Sequence, residues 1–584
     1  MNSLSKKVIG LLLSAVLIFG ITGCKTVDDG SGSEAIDPNR TQLFVFSYDG
    51  GYGSDWLAAA KERYEQLHAE DVYEEGKKGI QIYINSKKEG FSTVSDKILT
   101  NRDEVYFHEY AYYQTLKSQG LLLDITEAVT GSQADLGVYG DPAGTTIESK
   151  LTEEQKAYYG IKENGETHYY GLPHYSGYMG IVYNRDLFDQ KGYYFRSGYE
   201  NYTELEDRFI LTDKGATKSK GPDGKTGVIG GVDYSLDDGL PVTYDDFFEL
   251  IQCIYLGGDT PISWLGADYN SYLQNFMCSL VADYEGIEQM SLNFNFNGEE
   301  ATDLGTVQNG RFVKDEKTTG ITAENGYELA RQQGKYEVLK FISRLVDKAN
   351  DQYHNNLAFN GAYSHMDAQD DFLYAGNDGG RTNNRAMLID GIWWENEASD
   401  TFDRMVAQYG ERMAKENRNF CYMPLPKATA EKAAETAKSD KAMTLYDHIF
   451  SICFVKSNIE EWKIPIALDF IKFVHTDESL AEFTVITNTP KAFNYEISEE
   501  DLAQMTTFGR SVIELKNRSN IVYPYSSDPL YVNNQSVFGF AEQWRYSSTT
   551  QFAPMAIRDG GITAEEYFSQ LYTYTKTKWS GLNR

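Results

Sequence analysis

The sequence is poor in cysteine, in basic charge and in long apolar runs. Cysteine occurs five times in 584 residues. No two form a CxxC pair, and their spacing supplies neither a zinc-ligand set nor a disulfide framework. Lys and Arg number 54 against 86 Asp and Glu, a formal net charge of -32. No long basic run offsets that excess. This argues against nucleic acid, whose phosphates need clustered Lys and Arg. It suits a protein kept soluble and monomeric by charge. The common catalytic signatures are missing as well. There is no convincing GxxxxGK[ST] loop for nucleotide phosphates, and no GxSxG elbow for a serine nucleophile. His108-Glu109 does not continue to HExxH, because residue 112 is tyrosine, so a zinc hydrolase has no motif. No cofactor is implied. Paired carboxylates for glycoside hydrolysis stay open, since the spacing that matters there is spatial. Asp390 and Glu395, flanking two tryptophans, are the best local pair.

What is present begins with a targeting segment. Lys6 and Lys7 precede an apolar core over residues 8–21, too short and wrongly flanked for a spanning helix. It ends in Ile21-Thr22-Gly23-Cys24, which resembles a bacterial lipobox, where the cysteine takes lipid and becomes the first mature residue. Residues 1–23 are therefore expected to be a lipoprotein signal peptide. Residues 24–40 are expected to be lipidated Cys24 and a small, polar tether. The expected location is the outer face of a bacterial membrane, held by lipid. The other four cysteines, Cys253, Cys278, Cys421 and Cys453, sit among apolar residues as buried thiols do. A Cys253–Cys278 bridge stays open, because export permits disulfides.

The length predicts two lobes or more. Leu43-Phe44-Val45-Phe46 reads as a buried parallel strand. Trp56, Ala60, Arg63, Tyr64 and Leu67 follow at helical spacing, with Ser54 placed to cap the helix through its hydroxyl. Further strands are predicted at residues 79–84 and 105–107, giving βαβαβ and an α/β fold. Ligands on such sheets bind outside the carboxyl ends of the strands, here Tyr48-Asp49 and His108-Glu109. The turn YDGGYGSDW, residues 48–56, has the layout of a phosphate cradle. Trp56 stands where its third glycine would be, and Asp49 would repel a phosphate. Beyond it, residues 212–240 and 296–325 read as surface insertions. Helices are expected from Thr243 onward, at 336–349 and at 464–474. Tyrosine, 43 residues, is abundant, which suits a wet binding surface. Gly391-Ile392-Trp393-Trp394-Glu395 follows a buried-strand run. Two tryptophans at a strand end offer an apolar platform for a sugar face, while neighbouring carboxylates take hydroxyls. On an extended segment adjacent side chains point opposite ways, so one ring is expected in the core and one toward ligand.

Several segments, in order, resemble the carbohydrate-binding, maltose-binding-protein-like solute-binding proteins of ABC importers (family 1). These are Gln119-Gly120-Leu121-Leu122-Leu123-Asp124-Ile125-Thr126, then Gly171-Leu172-Pro173, and Gly180-Ile181-Val182-Tyr183-Asn184-Arg185-Asp186-Leu187-Phe188. Pro241-Val242-Thr243-Tyr244-Asp245-Asp246-Phe247 follows, with Tyr244 where the family has tryptophan. Residues 386–393 resemble its AM-x-x-x-G-x-W segment, and Met423-Pro424-Leu425-Pro426 its next strand. The resemblance covers most of the mature chain and implies a two-lobed, type II periplasmic-binding-protein-like fold. The first lobe would take residues 41–174 and 450–487. The second, longer than usual, would take 175–449 and 488–584. Hinge crossings are expected near 173–178, 450–455 and 486–490. Such proteins do no chemistry; they deliver ligand to a permease driven by a separate ATPase. The expected ligand is a sugar or oligosaccharide, with peptide or a metal complex as alternative solutes and a surface glycosidase or adhesion protein as rivals. Candidate ligand residues are Tyr48, Asp49, Tyr52, His108 and Glu109 from the first lobe, and Tyr175 and Tyr178 from the crossing. The second lobe would add Trp393, Trp394, Glu395 and Trp544.

Overall fold

The computed structural model describes residues 35–583, apart from 110–111, 197, 212–226, 230–231, 235–238, 268–271, 378–381, 440, 442, 450, 540 and 549–552. The targeting segment, Cys24, the tether up to residue 34 and most of the 212–240 insertion lie outside the described residues. The last part of the expected tether lies along the first sheet: the Gln81 side-chain amide donates to the Ala35 carbonyl at 3.0 Å and accepts from the Asp37 amide at 2.9 Å.

Strand β1 (Thr41–Tyr48) carries Leu43, Val45 and Phe46 into the core. A glycine turn leads to helix α1 (Asp55–Leu67), which buries Trp56, Leu57, Ala60 and Tyr64 on one face, as an amphipathic stripe does. Ser54 does not cap it. Its backbone, φ -121° and ψ 4°, lacks the extended shape that aims a cap hydroxyl at the first amides, and the hydroxyl meets that of Ser86 instead. The chain continues through β2 (Ile80–Lys87), β3 (Val105–His108) and β4 (Leu172–Pro173). It then passes to β5 (Met179–Asn184), α2 (Tyr244–Leu256), β6 (Thr260–Ser263), α3 (Tyr272–Asn295), β7 (Arg385–Gly391), α4 (Trp394–Glu397), β8 (Phe420–Met423) and β9 (Met443–Tyr446). It returns as β10 (Ile452–Val455) and α5 (Asp477–Thr487), and ends with β11 (Ser519–Val522) and α6 (Ala564–Trp579).

Two sheets result. The first has the order β2-β1-β3-β10-β4; β1 runs parallel to β2 and β3, and β10 is antiparallel to β3 and β4. The second has the order β6-β7-β5-β8, with only β6 and β7 parallel. Helix α5 packs back on α1, where Arg63 pairs with Glu482 at 2.5 Å and Phe483 meets Trp56 edge-on. Thr243 and Asp246 form a reciprocal capping box at the start of α2, which satisfies two otherwise orphaned amides. The 296–325 insertion is two antiparallel pairs, Asn297–Ala301 with Thr319–Thr322 and Gly305–Gln308 with Arg311–Lys314. Phe312 of the second pair packs on Phe568 of α6.

Three segments lie side by side where the chain passes between the sheets. The His174 amide donates to the Ser451 carbonyl, the His448 amide to the Gly177 carbonyl, and the Ser176 amide to the Pro490 carbonyl, at 3.1, 3.2 and 3.2 Å. Asp447 accepts from the Gly177 amide at 3.0 Å. Cys253, Cys278, Cys421 and Cys453 are all buried free thiols, so Cys253 and Cys278 are not bridged.

Candidate functional site

The carboxyl end of β1 and the turn after it meet the segment that follows β7. A Cβ added to Gly51 would stand 2.8 Å from Cβ of Trp393, and one added to Gly50 would stand 2.7 Å from the Glu109 carboxylate. Glycine is needed here because the backbone itself is the contact surface. Between the lobes lies a cavity of about 180 Å³. Tyr48, Gly50, Gly51, Tyr52, Lys88 and Glu109 line it from one side, and Tyr272, Asn275, His365, Trp393 and Glu397 from the other, with His448 and Ile449 at the crossing. It is smaller than the roughly 300–1,000 Å³ of ordinary small-molecule sites, so the lobes stand close together over it.

The lining is an aromatic frame with polar tips. The Trp393 indole donates to the Tyr272 hydroxyl at 3.1 Å, and Tyr272 stacks on His365 at 4.9 Å. Tyr52 donates its hydroxyl to the Ser176 carbonyl at 3.0 Å and packs on Tyr175. Glu397 is the electrostatic centre of the second-lobe wall. His365 approaches it at 3.3 Å, the Gln369 amide at 2.9 Å, and Lys88 from the first lobe at 3.5 Å. Burial works to raise the Glu397 carboxyl, but His365 and Gln369 outweigh it and hold it below the ordinary range. Glu109 goes the other way. Burial first, then the neighbouring Glu397, push it up to about 8 against the pull of Lys88. Burial and Glu109 together push the Tyr48 phenol up to about 12.

Four of the residues expected at the ligand, Tyr48, Tyr52, Glu109 and Trp393, line this cavity. Seven do not. Asp49 is exposed beyond the end of β1. His108 is buried against Phe46 and Tyr48, its ring nitrogens 2.6 Å from the Glu109 carbonyl and 3.1 Å from that of Glu89. Tyr175 sits behind the wall and donates to the Glu109 carboxylate. Tyr178 is buried in the crossing, its carbonyl accepting from the Ile392 amide. Trp394 is fully buried among Phe372, Phe402, Phe420 and Phe508. Glu395 is buried and accepts from the Thr506 hydroxyl at 2.7 Å. Trp544 is buried in the second lobe with its indole on the Cys278 sulfur at 3.3 Å. One ring lies in the core and the other at the cavity, but by helical rather than extended geometry, because the extended segment ends at Gly391 and α4 starts at Trp394. Trp393 and Glu397, four apart, therefore share a face, as helical geometry dictates. Asp390 and Glu395 are both buried and have separate partners: Asp390 accepts from Gln369 at 3.0 Å and Glu395 from Thr506. Among the described residues no group of three or more His, Cys, Asp or Glu is placed to hold a metal ion.

No model of a known protein family matches the sequence, and no curated protein matches it. Solved structures do match. The solute-binding protein RafE in complex with raffinose superposes with a TM-score of 0.50 at 10% identity, covering 92% of this chain and 99% of that one. The cyclic α-maltosyl-1,6-maltose binding protein from Arthrobacter globiformis superposes with a TM-score of 0.50 at 11% identity, covering 93% and 100%. The fold is the two-lobed solute-binding fold. In it the cavity between Gly51 and Trp393 lies where two α/β lobes face each other, outside the carboxyl ends of β1 and β3, the place at which open α/β sheets take their ligands.

Proposed function

We propose that the protein captures a sugar or oligosaccharide between its lobes and delivers it to the permease of an ABC importer. One observation carries this reading. An indole, Trp393, with Asn275 and Glu397 on its own wall, stands across an interlobe cavity from Tyr48, Tyr52 and Glu109. A sugar ring needs that pairing: an apolar face to cover its C–H groups and acceptors for its hydroxyls. Contacts made to both lobes at once favour the closed arrangement, because a ligand shifts the equilibrium by its differential affinity. The structural neighbours named above are described as binding raffinose and a cyclic maltosyl-maltose, which supports a saccharide here. The protein is read as a binder rather than an enzyme, anchored outside the cell through lipid on Cys24. Among the described residues no helix is long and apolar enough to cross a membrane. The test is a thermal-shift screen of mono- and oligosaccharides beside peptides and metal complexes. A ligand at 100 times its Kd adds about 2.7 kcal/mol to apparent stability, so a saccharide is expected to raise Tm. A shift with peptides and none with any saccharide overturns the substrate class. Turnover of a saccharide overturns the binding-only role.

A further inference from the structure

The two acids of the cavity are matched unequally. Glu397 has Lys88, His365 and Gln369 around it. Glu109 is 7% exposed and receives the Tyr175 hydroxyl, yet no ion pair joins it to a described residue. The backbone of the glycine turn presses on it, since a Cβ on Gly50 would be 2.7 Å from its Oε1. Lys88, a cation of the same wall, is 59% exposed and engaged by Glu397. A carboxyl taken out of water without a counter-charge is costly to ionise. Here that carboxyl faces a ligand cavity, so the missing counter-charge has room to arrive with the ligand.

Resting on the saccharide reading above, we propose that the cleft takes a sugar bearing a basic amine, whose ammonium sits on Glu109. An ammonium there completes the ion pair that the protein leaves unmade, and it donates hydrogen bonds to a carboxylate that otherwise accepts one phenol. A carboxylate-bearing sugar would instead bring a third acid beside Glu109 and Glu397, and like charges in a small, poorly solvated space repel. Burial holds the free Glu109 carboxyl protonated at neutral pH, with its titration pushed up to about 8. Binding an ammonium favours the ionised carboxylate, so the Glu109 proton leaves to solvent as the amine docks.

The test uses a panel of mono- and disaccharides, each in neutral, free-amine and uronic-acid form, titrated into the full protein by calorimetry. The amine forms are expected to bind at least tenfold tighter than their neutral counterparts, and the uronic acids weakest. At pH 7 amine binding is expected to release close to one proton, read from the dependence of the heat on buffer ionisation enthalpy; this needs no variant. Glu109→Gln keeps the shape and an acceptor for Tyr175, and is expected to abolish both the preference and the proton release. Neutral sugars binding as tightly as amines, or a preference that survives in Glu109→Gln, overturns the inference and leaves the saccharide reading standing. If no saccharide of any charge binds, both fall.

Discussion

Trp393 and Trp394 are adjacent and do different work. Trp393 closes the cavity against Gly51 and donates to Tyr272. Trp394 has no exposure and four phenylalanines around it. Trp394→Ala is therefore expected to cost about 3–5 kcal/mol of stability, as large-to-small core changes do. Trp393→Ala should also cost stability, since the ring is only 7% exposed, but it alone should weaken saccharide binding about tenfold or more, the loss of one aromatic face. Denaturant unfolding and ligand titration on both variants separate these. Unchanged affinity in Trp393→Ala would remove the platform. Tyr48 and Glu109 were readable from sequence because strand carboxyl ends face the ligand side of an α/β sheet. Glu397 was within reach of the same reasoning: a helical period started at Trp393 selects it and rejects Glu395. Lys88, Tyr272, Asn275, His365 and His448 were not readable, because each reaches the cavity from a separate segment and only the fold brings them together.

The crossing segments carry an unusual buried charge. Lys491 has no exposure, its Nζ lies 2.6 Å from Nδ1 of His174, and the rings of Phe483 and Trp56 stand at 4.4 and 4.5 Å. His475 and Cys453 are the other titratable groups that act on it. Burial lowers the Lys491 ammonium to about 7, with Cys453 pulling the other way. The unfolded value is about 10.4. Below pH 7 both states are charged and the burial cost is fully present. From pH 7 to about 10.4 the unfolded chain binds the proton that the folded one has released, so stability rises with pH. Lys491→Met places an apolar chain of similar length in an aromatic cage. It is expected to stabilise the protein by about 1–4 kcal/mol at pH 6, the range for replacing buried charge by apolar packing, and to flatten the rise between pH 7 and 10. Urea unfolding of both proteins at pH 6 and 9.5 checks this. Parallel profiles would mean Lys491 is not the group that titrates. Continuous apolar residues mark β1, and Thr243 with Asp246 marks the start of α2. The stretch 296–325, read from sequence only as a surface insertion, holds a hairpin at 305–314 that turns on Asn309-Gly310, both at positive φ (52° and 72°), the pair that a tight two-residue hairpin turn favours.

The whole molecule depends on how two lobes meet. Their contact over the cavity is narrow: Gly51 against Trp393, and Lys88 with Glu397 across the gap at 3.5 Å. Such a half-exposed ion pair contributes little, about 0–1 kcal/mol, so shape rather than charge sets how closely the lobes approach. Gly51 is the decisive position. Its φ is outside the left-handed range, so a larger residue fits its backbone, but a Cβ there falls 2.8–2.9 Å from Cβ and Cδ1 of Trp393. No real Cβ contact is that short, and the atom that must move lies on the other lobe. Gly51→Val is thus a wedge between lobes that each keep their own sheet and core. It is expected to enlarge the radius of gyration of the free protein in solution scattering and to leave its unfolding transition in place. If closure is what the ligand stabilises, lowering the closed fraction tenfold lowers apparent affinity about tenfold. An unchanged radius with intact affinity would mean that the 49–54 turn yields instead, and that the juxtaposition of Gly51 and Trp393 does not govern closure.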